Sequence, residues 1–202
     1  YFMGGLYEQK EAHLRELRET YNGILLILQQ FISKDKYTQN HSHRVAIYAS
    51  RIAACLGFRP ERIEDVRVAA LLHDIGKLDI SRQLLYKAAR LSDSELEEMH
   101  THVERGAELL QPVGGSLRRI IPIILAHHDH FDGSGHHDKG AADIPLEARI
   151  IAVADVYDAL TSDRPYRAAL SCGDAVIELQ HQAGRTLDAQ VVEAFLAARH
   201  GL

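Results

Sequence analysis

Residues 61–77 read ERIEDVRVAALLHDIGK. Pro60 precedes them and suits the first turn of a helix, where its missing N–H costs nothing. The largely apolar run VRVAALL (66–72) carries that helix toward a core, and the helix then delivers His73 and Asp74 at its end. Burying such groups without partners costs roughly 1–3 kcal/mol each. The stretch therefore asks other elements to supply a shared solution.

The same pattern recurs. His102 lies on the stripe Met99, His102, Gly106, Leu109, at steps of three and four. His127 and His128 close the run IIPIILA (120–126), Asp155 sits inside IIAVADVYDAL (150–160), and His41 is expected just before a helix. Any one of these alone is more often a core residue bonded to backbone. Together, on several helices, they point to a metal centre. Imidazole and carboxylate suit Fe, Mn, Zn or Ni, and the lack of Cys donors disfavours a structural zinc site. Seven side chains exceed the needs of one ion and suit two if a carboxylate bridges them. His100 lies about 200° around the helix from His102, so it is expected to face solvent.

The rest of the chain is helical in pattern. Leu14, Leu17, Tyr21, Ile24, Leu28 and Phe31 form an a/d seam. That seam serves either a helix packed on its own domain or one paired with a second chain. SKDKYTQNHS (33–42) reads as a polar link. RVAIYASRIAACLG (44–57) is a helix with its stripe at Val45, Ala49, Ile52, Ala53 and Leu56, closed by Gly57. Ser92 with Glu95 forms a capping box for one helix over 93–110. Pro112 and Gly114-Gly115 break the chain before a helix over 117–128. Residues 129–145 form a loop, and 146–162 are helical again, despite the strand-like composition of RIIAVADV. Ser171 and Asp188 cap the last helices. The expectation is an all-α fold, with residues 1–34 as an N-terminal signalling helix and 35–202 as the main domain.

The chain has 202 residues, 46% of them hydrophobic, enough for one domain with a real core. Its formal net charge of -5 disfavours nonspecific DNA binding. No stretch approaches the ~20 apolar residues of a membrane span. Cys55 and Cys172, with no CxxC, fit a reducing, cytoplasmic setting. The start YFMGGLYEQK is not a signal peptide. An upstream sensor or receiver domain is expected in the full-length protein.

HDIGK, with His41 upstream and Asp155 downstream, resembles the HD superfamily of metal-dependent phosphohydrolases. With DKYTQNHSHRV, HVERGAELL, HHDHFDGSG and ARIIAVADVYDALTSDRPYR, residues 35–200 are similar to an HD-GYP domain. The resemblance implies a helical bundle around a binuclear centre holding two divalent ions, iron foremost, with Mn, Ni or Zn as alternatives. It implies a hydroxide activated by both ions and hydrolysis of cyclic di-GMP, a bacterial second messenger. It implies His41, His73, Asp74, His102, His127, His128 and Asp155 as ligands, with Asp74 bridging. Lys77 would touch a phosphate. Arg164 and Arg167 would hold the dinucleotide, beside a loop containing Gly133 and Gly135. Three-metal members carry Glu at the position of Tyr37, so two metals and the linear product pGpG are expected.

The sequence departs from the family where Gly-Tyr-Pro becomes Gly135-His136-His137, and Asp129 replaces the usual Glu. Three readings stay open: a cyclic di-GMP phosphodiesterase, a metal-loaded receptor without turnover, and a hydrolase of another cyclic dinucleotide or phosphoester.

Overall fold

The computed structural model describes residues 7–13, 15–16, 19–20, 23–25, 36–85, 87, 92–115, 117–135, 140–163 and 167–199, without the side chains of 36–39 and 82. The described residues are helical, with no strand among them. The helices are α1 (Lys36–Cys55), α2 (Pro60–Leu72), α3 (Arg82–Leu85), α4 (Asp93–His100), α5 (His102–Leu110), α6 (Leu117–Leu125), α7 (Leu146–Thr161), α8 (Cys172–Gln182) and α9 (Ala189–Ala198). A 3₁₀ turn over Ile75–Asp79 follows α2.

The all-α expectation holds, and so do its local signals. Pro60 opens α2, Gly57 takes φ +76°, and Ser92 and Glu95 exchange both capping-box bonds. Ser171 and Asp188 accept from the backbone N–H of Asp174 and Gln190. RIIAVADV lies within α7, whose Ile150, Ile151, Val153 and Ala154 are buried. These meet Val45, Ala49 and Ile52 of α1, Ala69 and Leu72 of α2, and Phe195 of α9 in one core.

Three expectations need correction. The stretch 33–42 is not all link, because α1 begins at Lys36 and His41 lies inside it. The buried stripe of α1 extends one turn upstream through His41 and Ser42, and polar residues on that stripe disguised it. The helix over 93–110 divides at Thr101, whose hydroxyl donates to Glu98 O and whose ψ falls to -13°. Leu109 is exposed while Val103 and Leu110 face the core, so the stripe runs through Val103, Gly106 and Leu110.

Of the N-terminal seam, Leu14, Leu17, Tyr21, Leu28 and Phe31 lie outside the described residues. Ile24 is 52% exposed, and its neighbour Leu25 is 2% exposed within the core. Leu25 thus packs against the core while Ile24 turns outward. No helix among the described residues is long and apolar enough to cross a membrane.

Candidate metal centre

Three of the histidines follow one local rule. His73 lies just past α2 and its Nδ1 is 2.8 Å from Ala70 O. His102 opens α5 after the break from α4, with Nδ1 2.6 Å from Met99 O. His127 lies just past α6, with Nδ1 2.6 Å from Ile124 O. Each carbonyl belongs to the last turn of the helix before the histidine, where no intrahelical donor remains. A single bond thus caps a helix, places the proton on Nδ1 and aims Nε2 elsewhere.

That elsewhere is Asp74, which is buried. Its Oδ2 is 3.5 Å from His73 Nε2 and 4.0 Å from His41 Nε2. Its Oδ1 is 3.5 Å from His102 Nε2. Potential donor atoms fall into three groups, each lying mutually within 4.8 Å: His41, His73, Asp155; His102, His127, His128; and His73, Asp74, His127. The first two groups flank Asp74, and all seven residues expected from the sequence come together.

Asp74 Oδ1, His102 Nε2 and His127 Nε2 are buried without a hydrogen-bond partner. With the protons on Nδ1, these are lone pairs facing lone pairs. Such an array is costly by itself, and a cation between the atoms removes the cost. The protonation states agree. Burial pulls the Asp74 carboxyl up, but His73, Lys77, His102 and His41 outweigh it and hold it well below the usual range. Burial, aided by His128 and His73, holds His127 well below the ordinary histidine value. Burial and His102 push His128 down to about 3. Burial lowers His102, with Asp74 opposing. An ionised carboxylate beside His102, His127 and His128, each shifted toward the neutral form, is a donor set that Fe, Mn, Ni or Zn takes, so the residues fit the group the sequence implied.

His41 is held differently. Its Nδ1 is 2.7 Å from Asp158 Oδ2. Arg44 grips the same carboxylate through Nε at 2.5 Å and Nη2 at 2.9 Å. The sequence reading missed both residues. The signal was present: Asp158 follows Asp155 by three positions on α7, and Arg44 follows His41 by three on α1, so each lies beside its site residue. Gly76 was also missed. A Cβ there would lie 1.9 Å from His102 O and 2.6 Å from Gly106 N. Only glycine lets the 3₁₀ turn carry Asp74 against α5.

The expected substrate contacts are less gathered. Lys77 Nζ donates to Asp74 Oδ2 at 2.7 Å and stays partly exposed. Arg167 is exposed and donates to Ala159 O rather than joining the groups around Asp74. Arg164, His136 and His137 lie outside the described residues. Gly133 takes φ +83°. A Cβ at Gly135 would lie 2.5 Å from His130 N, so this loop folds back on itself. His100 is half-buried, its ring 6.4 Å from that of His128, and does not simply face solvent as expected. A cleft of about 140 Å³ opens beside His127, His128 and Asp155, against Val156, Gln182 and Thr186.

Comparison with known proteins agrees with this geometry. The family model "HD domain" matches residues 27–191. The cyclic di-GMP phosphodiesterase response regulator RpfG of Xanthomonas campestris is 39% identical over 194 residues, covering 93% of this chain and 50% of that protein. The 3′3′-cGAMP-specific phosphodiesterase 2 of Vibrio cholerae is 34% identical, covering 90% of this chain and 35% of that protein. The chain thus spans half or less of the length of these relatives. Among solved structures, Bd1817, an HDG"Y"P protein from Bdellovibrio bacteriovorus, superposes with a TM-score of 0.63 at 21% identity, covering 77% of this chain and 50% of that one. By the helical fold, the HD motif in its buried place and these matches, the chain belongs to the HD domain family.

Proposed function

We propose that the chain is a phosphodiesterase that opens cyclic di-GMP to linear pGpG at a two-ion centre. The observation that supports this most is the pair of donor groups on either side of Asp74, with orphaned lone pairs between them. His41, His73 and Asp155 would hold one ion, His102, His127 and His128 the other, and Asp74 both. Iron is the favoured metal on the resemblance, and the nitrogen and oxygen donors also suit Mn, Ni or Zn. When bound, two such ions neutralise a phosphodiester and lower the pKa of an attacking water. Lys77 offers two further N–H donors beyond its bond to Asp74, available to a non-bridging phosphate oxygen as charge develops there. The tight turns at Gly133 and Gly135 would bring backbone close to a nucleotide bound beside His127 and His128. Arg164 and Arg167 would hold the far phosphate or base, which for Arg167 requires release from Ala159 O.

A second reading is a mixed cyclic dinucleotide as substrate, because relatives in Vibrio cholerae at 34% identity bear the name 3′3′-cGAMP-specific phosphodiesterase. His136-His137 in place of Tyr-Pro keeps a metal-loaded receptor as the third. Residues 1–34 would link the domain to an upstream sensor or receiver and pair two copies through the face that carries Ile24. The messenger places the reaction in the cytoplasm. Protein loaded anaerobically with Fe²⁺ or Mn²⁺ and given cyclic di-GMP or 3′3′-cGAMP, with products separated by chromatography, tests all three. Linear pGpG is expected. Preferential loss of 3′3′-cGAMP supports the second reading, and binding of either nucleotide without turnover supports the third.

A further inference from the structure

We infer that Asp158, steadied by Arg44, is a positioning residue that orients His41 and strengthens it as a ligand, adding to the difference between the two halves of the centre. The inference rests on the two-ion reading above.

The contrast among the imidazoles carries it. His73, His102 and His127 each give the Nδ1 proton to a neutral backbone carbonyl at 2.6–2.8 Å. His41 gives its proton to a carboxylate at 2.7 Å. Asp158 is 1% exposed, a place where an isolated charge would not persist. Arg44 keeps it charged, taking both oxygens in a two-point grip while its Nη2 also donates to Ser162 Oγ at 2.9 Å.

A histidine paired with a carboxylate is a more basic, more electron-rich ligand than one bonded to a carbonyl, and its ring is fixed in place. His41 Nε2 lies 3.3 Å from Asp155 Oδ1, so that gain falls on the group His41, His73, Asp155. In the opposite group, His102 and His127 turn Nδ1 to backbone carbonyls instead. The two halves already differ in one ligand, Asp155 on one side against a third imidazole on the other. Asp158 of α7, gripped by Arg44 of α1, adds a further difference behind His41.

Metal binding tests this without reference to turnover. Apo protein is titrated with Mn²⁺ by calorimetry, with elemental analysis after dialysis against limiting metal, for wild type, Asp158→Asn, Arg44→Lys, His41→Ala and His102→Ala. Wild type should show two binding events. Asp158→Asn should weaken one of them about 10- to 100-fold, the range for loss of a ligand's outer partner, and leave the other in place. The weakened event should be the one that His41→Ala removes. Arg44→Lys, which keeps the charge but not the two-point grip, should weaken the same event by less. With iron, the same variants should alter one of the two Mössbauer signals. Equal weakening of both events, or neither, at unchanged helical circular dichroism overturns the inference and leaves the two-ion reading intact. If Asp158→Asn does not fold, Arg44→Lys decides by the same criterion. Wild type that takes up fewer than two ions overturns both.

Discussion

The ligands of the centre are held by two different means. His41 projects from the second turn of α1 and Asp155 from the middle of α7, the paired helices whose Val45, Ala49, Ile151 and Ala154 fill the core. Their positions are set by packing along several turns. His73, Asp74, His102, His127 and His128 stand at helix ends, where backbone is least constrained. These ends are fixed instead by imidazole-to-carbonyl bonds and by the glycine contact between the 3₁₀ turn and α5. A ligand in mid-helix is steadied by the fold. A ligand at a helix end must help to steady the fold itself.

Asp74 joins the two sides, so its loss should have the largest effect. Asp74→Ala should lose both ions by elemental analysis and all turnover above background by product chromatography. Lys77 belongs to neither side's ligand set. Lys77→Ala should retain two ions while turnover falls about 10²- to 10³-fold, the usual loss for one donor to developing negative charge. Gly76→Ala tests the helix-end side directly. The added methyl would strike the backbone of α5, and the overpacking range predicts a loss of ~1–3 kcal/mol or more. Thermal unfolding should show that loss, and the ion at His102, His127 and His128 should be weakened more than the ion at His41 and Asp155.

Smaller effects should arise outside the centre. His136→Tyr with His137→Pro restores the family's loop. At the ~1–3 kcal/mol of one aromatic contact, it should lower KM or raise turnover roughly tenfold to hundredfold with metal content unchanged. An unchanged or slower reaction would point to another substrate. The smallest change in the domain itself should come from Ile24→Asp. Its side chain is exposed, so melting should hold, while the mass in solution should drop from dimer to monomer. Deleting residues 1–32 tests the same pairing less cleanly, because it also removes Leu25 from the core.

Apart from His41, the residues of the centre were legible because each broke an apolar helical pattern, and a polar residue on a core-facing stripe advertises a partner. Helix starts with chemical punctuation were legible as well, at Pro60, Ser92, Ser171 and Asp188. The first turn of α1 was not, since His41 and Ser42 fill its buried stripe with polar letters. Asp158 and Arg44 escaped notice because charged residues usually face water, and only the meeting of α1 with α7 shows that this pair does not. Gly76 escaped because a glycine in a turn has a local explanation. Its actual cause is the backbone of α5, 26 positions away at His102.

The loop beside His128 hangs from the turn between α8 and α9. Phe131 N–H donates to Thr186 O and Asp132 N–H to Arg185 O, both main-chain bonds. No side chain at 185 or 186 makes them; what makes them is the number of residues between Gln182 and Asp188. Letters can change there at little cost, apart from Gly184 with its φ of +77°. Inserting or deleting one residue cannot be absorbed, because it would shift both carbonyls out of reach. The reach of the loop beside His128 is thus measured out by chain length in a turn that supplies none of the seven candidate metal ligands, and length variants there should retune the mouth of the cleft while leaving those ligands in place.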